Sequence, residues 1–113
     1  MKSNEYKFDT KKVTEDLCNW IADWFDKNGK DCNAVIGISG GIDSSTVAAA
    51  CVHALGKDRV FGVLMPDGVQ YDIGDSKLLV DHLGVNSITC DIHSSVFAVK
   101  ESIENVNYRD NYV

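Results

Sequence analysis

Seven consecutive residues form the segment with the clearest capacity for chemistry, Ser39-Gly40-Gly41-Ile42-Asp43-Ser44-Ser45. The two adjacent glycines allow the backbone to turn tightly and to approach a ligand closely. The serine hydroxyls can donate hydrogen bonds, and acidic and hydroxyl residues are typical of a helix start. Because a helix start presents free N–H groups and the positive end of its dipole, the segment predicts a phosphate-binding loop.

Asp43 is the one carboxylate in this loop. A carboxylate beside phosphates is repulsive unless a cation lies between them. Mg²⁺ suits that position, because proteins commonly bind it through one or two carboxylates together with substrate phosphates. We therefore predict that Asp43 is a magnesium ligand.

The elements around the loop are those that such a site requires. Residues 34–38 form a short apolar run rich in β-branched side chains, which is typical of a buried strand in a parallel sheet. Gly37 and Ile38 end this strand and lead directly into the loop. Residues 46–55 are apolar and rich in alanine, with Gly56 placed to end a helix. The order is strand, loop, helix.

The same alternation continues along the chain and predicts an α/β fold, a parallel sheet with flanking helices and right-handed crossovers. An amphipathic first helix packs on it as an added layer. We expect a single domain, with residues 1–33 as the leading helix and residues 34–113 as a βαβαβα unit. The remaining predicted elements are a helix at 11–28, strands at 60–65 and 85–92, and helices at 75–83 and 94–105.

A second loop, residues 66–72, follows the second strand. In open α/β sheets ligands bind at the carboxyl ends of the strands, so both loops should face one ligand. The pair Asp67-Gly68 alone is weak support, because a polar turn after a strand is common in any α/β protein.

Other glycine motifs compete with the phosphate-loop interpretation. A Walker loop requires a lysine, and none lies between Gly37 and Leu55. A GxGxxG dinucleotide motif is also missing. Residues 37–41 match the GxSxG motif of hydrolases, in which Ser39 would be a nucleophile, although no histidine has a convincing triad setting. The glycines could also serve only a tight strand-to-helix turn.

Composition narrows the function further. Lys and Arg total 11 against 17 for Asp and Glu, a net charge of -6, which disfavours nucleic acid as a partner. No apolar run is long enough to cross a bilayer and the N-terminus lacks a signal peptide, so we expect no membrane association and a cytoplasmic location. The widely spaced cysteines are interpreted as reduced core thiols: Cys18, Cys32, Cys51 and Cys90.

The segment SGGIDSS after a buried strand resembles the signature of the N-type ATP pyrophosphatases, whose fold is Rossmann-like, of the adenine nucleotide alpha hydrolase type. Within that group, residues 35–38 and the stretch 60–70 resemble NAD synthetase of the ammonia-dependent type. The resemblance extends from the first helix to about Ile92. It implies that the chain is the N-terminal portion of such an enzyme.

The resemblance implies a ligase that adenylates deamido-NAD with ATP and Mg²⁺, releases pyrophosphate, and lets ammonia displace AMP. The resemblance implies a homodimer and a reaction that uses no side-chain nucleophile. It also implies that a chain of 113 residues should not synthesise NAD alone. A non-catalytic ATP-binding module is the alternative. The implied ATP site comprises Gly37, Ile38, Ser39, Gly40, Gly41, Ile42, Asp43, Ser44, Ser45, Met65 and Gln70.

Overall fold

A computed structural model describes residues 7–68 and 73–105. In those residues helices and strands alternate as the sequence predicts, with one short 3₁₀ helix, Lys57–Arg59, that it did not predict. The helices are α1 (Thr10–Asn28), α2 (Ile42–Leu55), α3 (Ile73–Leu83) and α4 (His93–Glu104), and the strands are β1 (Ala34–Gly37), β2 (Val60–Leu64) and β3 (Asn86–Thr89).

The three strands form one parallel sheet in the order β1-β2-β3. Ala34 lies opposite Val60 in the first pair, and Val63 lies opposite Ile88 in the second. Parallel neighbours require a crossover, which α2 and α3 supply. The predicted α/β class with a parallel sheet is confirmed.

One face of the sheet carries the core. Ile36 and Leu64 point to this face and are buried against residues of α2 and α3, including Ala48 and Val80. The opposite face is open in the described residues, since Val35 is 68% exposed and Ile88 is 53% exposed. The prediction of a buried strand is therefore wrong for one face of β1, whose residues alternate between buried and exposed. The residues of β3, for which no burial was predicted, are all exposed.

The first helix forms an outer layer that packs mainly against α2. It begins where the Asp9 side chain accepts a hydrogen bond from the Lys12 N–H at 3.1 Å, and it ends where the Gly29 N–H donates to the Phe25 carbonyl. Cys18 is its buried residue, whereas Trp20 is 63% exposed. The predicted amphipathic helix is confirmed, and part of its apolar surface faces solvent.

Three element boundaries differ from the prediction in ways that affect the loops. α2 already begins at Ile42, with Gly41 as its N-cap, so Asp43 lies inside the first turn. The extended backbone of Gly41 is compatible with an N-cap that has no side chain to contribute. α3 begins at Ile73, two residues earlier than predicted, and β3 is shorter than the predicted strand.

The cysteines divide into two classes. All four are free thiols, as predicted, but only Cys18 and Cys51 are buried. Cys32 and Cys90 are exposed, so the prediction of a core position is wrong for these two. Each lies beside a strand end rather than inside a packed element.

Among the described helices, none is long and apolar enough to cross a membrane.

Candidate functional site

The loop between β1 and α2 begins where the sheet ends. The Ile38 N–H donates to the Val63 carbonyl at 2.8 Å, which holds the chain against β2 up to the residue before the loop. Gly40 then adopts a φ of 86°, in the left-handed region that favours glycine. The sharp turn that the two glycines predicted is therefore made at Gly40, and it directs the chain into α2.

The serine hydroxyls hold the loop in shape. Ser44 Oγ accepts a hydrogen bond from the Ser39 N–H at 3.1 Å and lies 3.0 Å from Ser39 Oγ. Ser39 Oγ also accepts from the Gly41 N–H at 3.2 Å. The Ser45 hydroxyl donates back to the Gly41 carbonyl at 2.6 Å. The loop is therefore preorganised by its own polar groups.

Backbone donors at the start of α2 are available to a ligand. The first helical hydrogen bond from this end runs from the Ser45 N–H to the Gly41 carbonyl at 3.2 Å. The N–H groups of Ile42, Asp43 and Ser44 precede it, and the first N–H groups of a helix have no carbonyl within the helix to accept them. Such groups, with the positive end of the helix dipole, favour an anion.

A cleft of about 250 Å³ lies beside this loop. It brings together the residues at the end of β1 and those at the end of β2, as the shared sheet edge predicted. Met65 forms part of the far wall, and a β-carbon on Gly37 would lie 3.2 Å from its Cε atom. The lining residues are Gly37, Ile38, Ser39, Met65, Pro66, Ile73 and Ser76.

Ser76 also lies in this region, although it was not among the predicted site residues. Its side chain is buried, with 2% exposure, and its hydroxyl donates to the Ile38 carbonyl at 3.4 Å. A serine in the first turns of a predicted helix gave no signal of this contact, because it depends on how α3 packs beside β1. Pro66 and Ile73 also line the cleft without having been predicted as site residues.

Asp43 is exposed in the first turn of α2. In the part of the chain that the structure describes, no group of three or more His, Cys, Asp or Glu side chains is placed to hold a metal ion. A single exposed carboxylate beside a phosphate loop is still compatible with Mg²⁺, since that ion usually completes its coordination with phosphate oxygens and water. Gln70, which was also predicted to belong to the ATP site, lies outside the described residues.

The hydrolase interpretation finds no support in the contacts of Ser39. Its hydroxyl pairs with Ser44 and Gly41. His93, which follows β3, pairs instead with Asp67, with 2.7 Å between Nδ1 and Oδ1. In the described residues no histidine is hydrogen-bonded to Ser39, and a nucleophilic serine would need one as its general base.

Comparison with known proteins identifies the family. A family model described as NAD synthase matches residues 13–112. The chain belongs to the NAD synthase family. A NH(3)-dependent NAD(+) synthetase from Methanosarcina acetivorans is 43% identical over 98 residues, which cover 84% of this chain and 38% of that protein.

Solved structures agree with this membership of the NAD synthase family. An NH3-dependent NAD synthetase from Campylobacter jejuni, in complex with the nitrate ion, has a TM-score of 0.78 and 33% identity, covering 91% of this chain and 45% of that one. A glutamine-dependent NAD+ synthetase from Acinetobacter baumannii, in complex with ADP, has a TM-score of 0.76 and 27% identity, covering 89% and 20%. The chain thus spans less than half the length of these relatives.

Proposed function

We propose that this chain forms the ATP-binding part of an NAD synthetase, a ligase that converts deamido-NAD, ATP and ammonia into NAD, AMP and pyrophosphate. The observation that carries the proposal is the cleft shared by the phosphate loop and the end of β2. Family membership supports the reaction. Nucleotide binding at this fold is supported by the glutamine-dependent relative that was solved with ADP.

The residues divide into two groups around a bound nucleotide. The N–H groups at the start of α2 bind the phosphates, together with the hydroxyls of Ser39 and Ser44. The apolar side chains of Met65 and Pro66, which line the cleft, receive the less polar part of the nucleotide. Gln70, which lies outside the described residues, is proposed as a further nucleotide-binding residue. The remaining loop residues, among them Ser45, hold the turn in shape.

The reaction needs no side-chain nucleophile. A carboxylate oxygen of deamido-NAD attacks the α-phosphorus of ATP, the bond to the bridging oxygen breaks, and pyrophosphate leaves. Ammonia then attacks the carbonyl carbon, AMP leaves, and the nitrogen loses a proton. Negative charge accumulates on the departing pyrophosphate, so the preorganised donors at residues 39–44 stabilise the transition state more than the substrate.

Asp43 would hold magnesium in this site together with the phosphates. When bound, the ion neutralises charge on the leaving pyrophosphate. Asp43 is suited to the role because it projects from the first turn of α2, beside the phosphate-binding N–H groups. The loop has no lysine to neutralise the phosphates. A magnesium ion held by the Asp43 carboxylate would supply that positive charge instead.

We also infer a homodimer in the cytoplasm for the whole protein. Leu17 and Trp24 of α1 are 44% and 46% exposed, and they border an apolar groove between α1 and α2 that association would cover. The net charge of -6 argues against nucleic acid as a partner. Residues 1–33 and 34–113 keep the roles of leading helix and nucleotide-binding unit in this proposal.

Two measurements test the function. Titration calorimetry of the 113-residue chain with ATP and Mg²⁺ should show binding, and the chain alone should release no pyrophosphate when deamido-NAD and ammonia are added. A version extended to the length of the relatives should release pyrophosphate only when deamido-NAD is present. An extended protein that binds ATP without such turnover would identify a non-catalytic ATP-binding module and overturn the ligase assignment.

A further inference from the structure

The loop after β2 is tied to the residues after β3. Backbone hydrogen bonds between the two segments continue past the ends of β2 and β3. Two further hydrogen bonds, which involve side chains, follow them. The four hydrogen bonds run from the Cys90 N–H to the Leu64 carbonyl (2.7 Å), from the Ile92 N–H to the Pro66 carbonyl (2.8 Å), from the Gly68 N–H to Asp91 Oδ1 (3.0 Å), and between His93 Nδ1 and Asp67 Oδ1 (2.7 Å).

Asp91 is the centre of this connection. Its Oδ1 atom accepts from the Gly68 N–H and also from the His93 N–H, at 2.9 Å. Because His93 is the first residue of α4, one carboxylate oxygen joins the loop to the start of that helix. The hydrogen bond from the Gly68 N–H, and to a lesser extent that from the His93 N–H, holds the pKa of Asp91 below its ordinary value. The carboxylate is therefore ionised at neutral pH.

The geometry of Gly68 makes this bond possible. Gly68 adopts a φ of 66°, which glycine tolerates and other residues rarely do. Met65 and Pro66, three and two residues before Gly68, line the cleft together with Ile38 and Ser39. Asp91 is therefore joined, through Gly68, to the chain segment that lines the cleft beside the loop of residues 39–45.

We propose that Asp91 is a positioning residue for the nucleotide cleft: through Gly68 it holds the Met65–Pro66 wall at the separation from Ser39 that a bound nucleotide requires. This inference rests on the proposed ATP site. Asp91 itself is not among the residues that line the cleft. Its effect on the nucleotide is exerted through the loop.

Two substitutions separate the hydrogen bonds of Asp91 from its charge. Asp91→Ala removes both bonds, and we expect it to weaken Mg-ATP binding about tenfold or more, the effect of losing a hydrogen bond to a charged group. Asp91→Asn keeps an oxygen acceptor for both N–H groups without the charge, and its affinity should remain within about twofold of wild type. If only the negative charge mattered, both variants would bind the anionic nucleotide more tightly than wild type.

The ligand-free protein provides a second measurement. In ¹³C-methyl spectra the Met65 methyl signal should shift in Asp91→Ala and stay near its wild-type position in Asp91→Asn. In amide hydrogen exchange the Gly68 N–H should be protected in wild type. Asp81→Ala, which removes an exposed carboxylate from α3, is the matched control and should change neither the signal nor the affinity.

These readouts distinguish the two proposals. If wild type does not bind ATP, the proposed function fails, while the Met65 signal and Gly68 protection still decide the role of Asp91. An unprotected Gly68 N–H in wild type would overturn the inference even if Asp91→Ala failed to fold. An Asp91→Ala variant with unchanged ATP affinity and an unchanged Met65 signal would also overturn it.

Discussion

A β-carbon on Gly40 would lie 3.1 Å from the Ser76 hydroxyl oxygen, so the loop of residues 39–45 and the start of α3 approach each other closely enough for a side chain at Gly40 to crowd Ser76. Ser76 in turn donates to the Ile38 carbonyl, one residue before the loop begins. The loop is therefore held between α2, which follows it, and α3, which packs beside it. Its shape depends on both helices.

Gly40→Ala should destabilise the protein and weaken ATP binding. The substitution places a side chain at a φ of 86°, which costs about 1 kcal/mol, and forces Ser76 to move. Gly84→Ala is the control, because Gly84 also has a positive φ, 70°, and the added carbon would make only an ordinary contact, 3.5 Å from the Lys57 side chain. In urea denaturation Gly40→Ala should lose about 1 kcal/mol more than Gly84→Ala. Equal losses would show that the close approach to α3 has no energetic consequence.

Ser39→Ala should weaken ATP binding by roughly twofold to tenfold, because the loop loses the acceptor for the Gly41 N–H and the partner of the Ser44 hydroxyl. Calorimetry measures the affinity. Thr46→Val is the control, since the Thr46 hydroxyl bonds only to the Ile42 carbonyl in the same helix. We expect no ester hydrolysis by wild type. Esterase activity that disappears in Ser39→Ala while ATP binding persists would revive the hydrolase interpretation.

Asp43→Asn should lower the affinity for Mg-ATP by about tenfold and reduce the benefit that magnesium gives to ATP binding, because the metal loses its protein carboxylate. Binding of ATP in the presence of EDTA should be unchanged or slightly tighter, since the repulsion between carboxylate and phosphate is removed. Asp58→Asn, which removes an exposed acidic group from the 3₁₀ helix, controls for net charge. The same magnesium dependence in Asp43→Asn and wild type would exclude Asp43 as a ligand.

The thiols should react in two groups. Cys32 and Cys90 are exposed, whereas Cys51 is buried. Burial, and to a lesser extent the nearby Cys18, raises the pKa of the Cys51 thiol. Because the thiolate is the reactive form, iodoacetamide at pH 8 should label Cys32 and Cys90 first. Peptide mass spectrometry measures the order, and labelling in urea, where all four should react at similar rates, is the control. Labelling of Cys51 as fast as Cys32 would contradict the packing of α1 on α2.

The ionised Asp91 carboxylate should stabilise the fold at neutral pH and lose this effect in acid. Its pKa is lowered in the folded protein by the Gly68 and His93 N–H groups, so folding favours the ionised carboxylate. That contribution is complete above the pKa of an unfolded aspartate, about 3.9, and is lost as pH falls through the lower folded value. The difference in unfolding temperature between wild type and Asp91→Asn should therefore shrink between pH 5 and pH 2. Asp81→Asn is the control, and a difference that grew on acidification would contradict the two hydrogen bonds.

Much of the fold could be predicted from the sequence because its signals are local. The apolar periodicity of residues 11–28, the β-branched run before Gly37 and the stop signals at Gly29, Gly56 and Gly84 each act within a few residues. The alternation of strands and helices then determined the parallel sheet. The exposure of Val35 and Ile88 could not be predicted, because it depends on which face the helices cover.

The loop of residues 39–45 could be recognised from the sequence by itself, since adjacent glycines, hydroxyls and a helix start are properties of seven consecutive residues. The tertiary structure alone decided what surrounds the loop: that Ser76 reaches Ile38, that Met65 faces Gly37, and that Asp91 holds Gly68. These partners are between 23 and 38 residues apart along the chain. Such contacts follow from the packing of whole elements, and no local pattern of residue types encodes them.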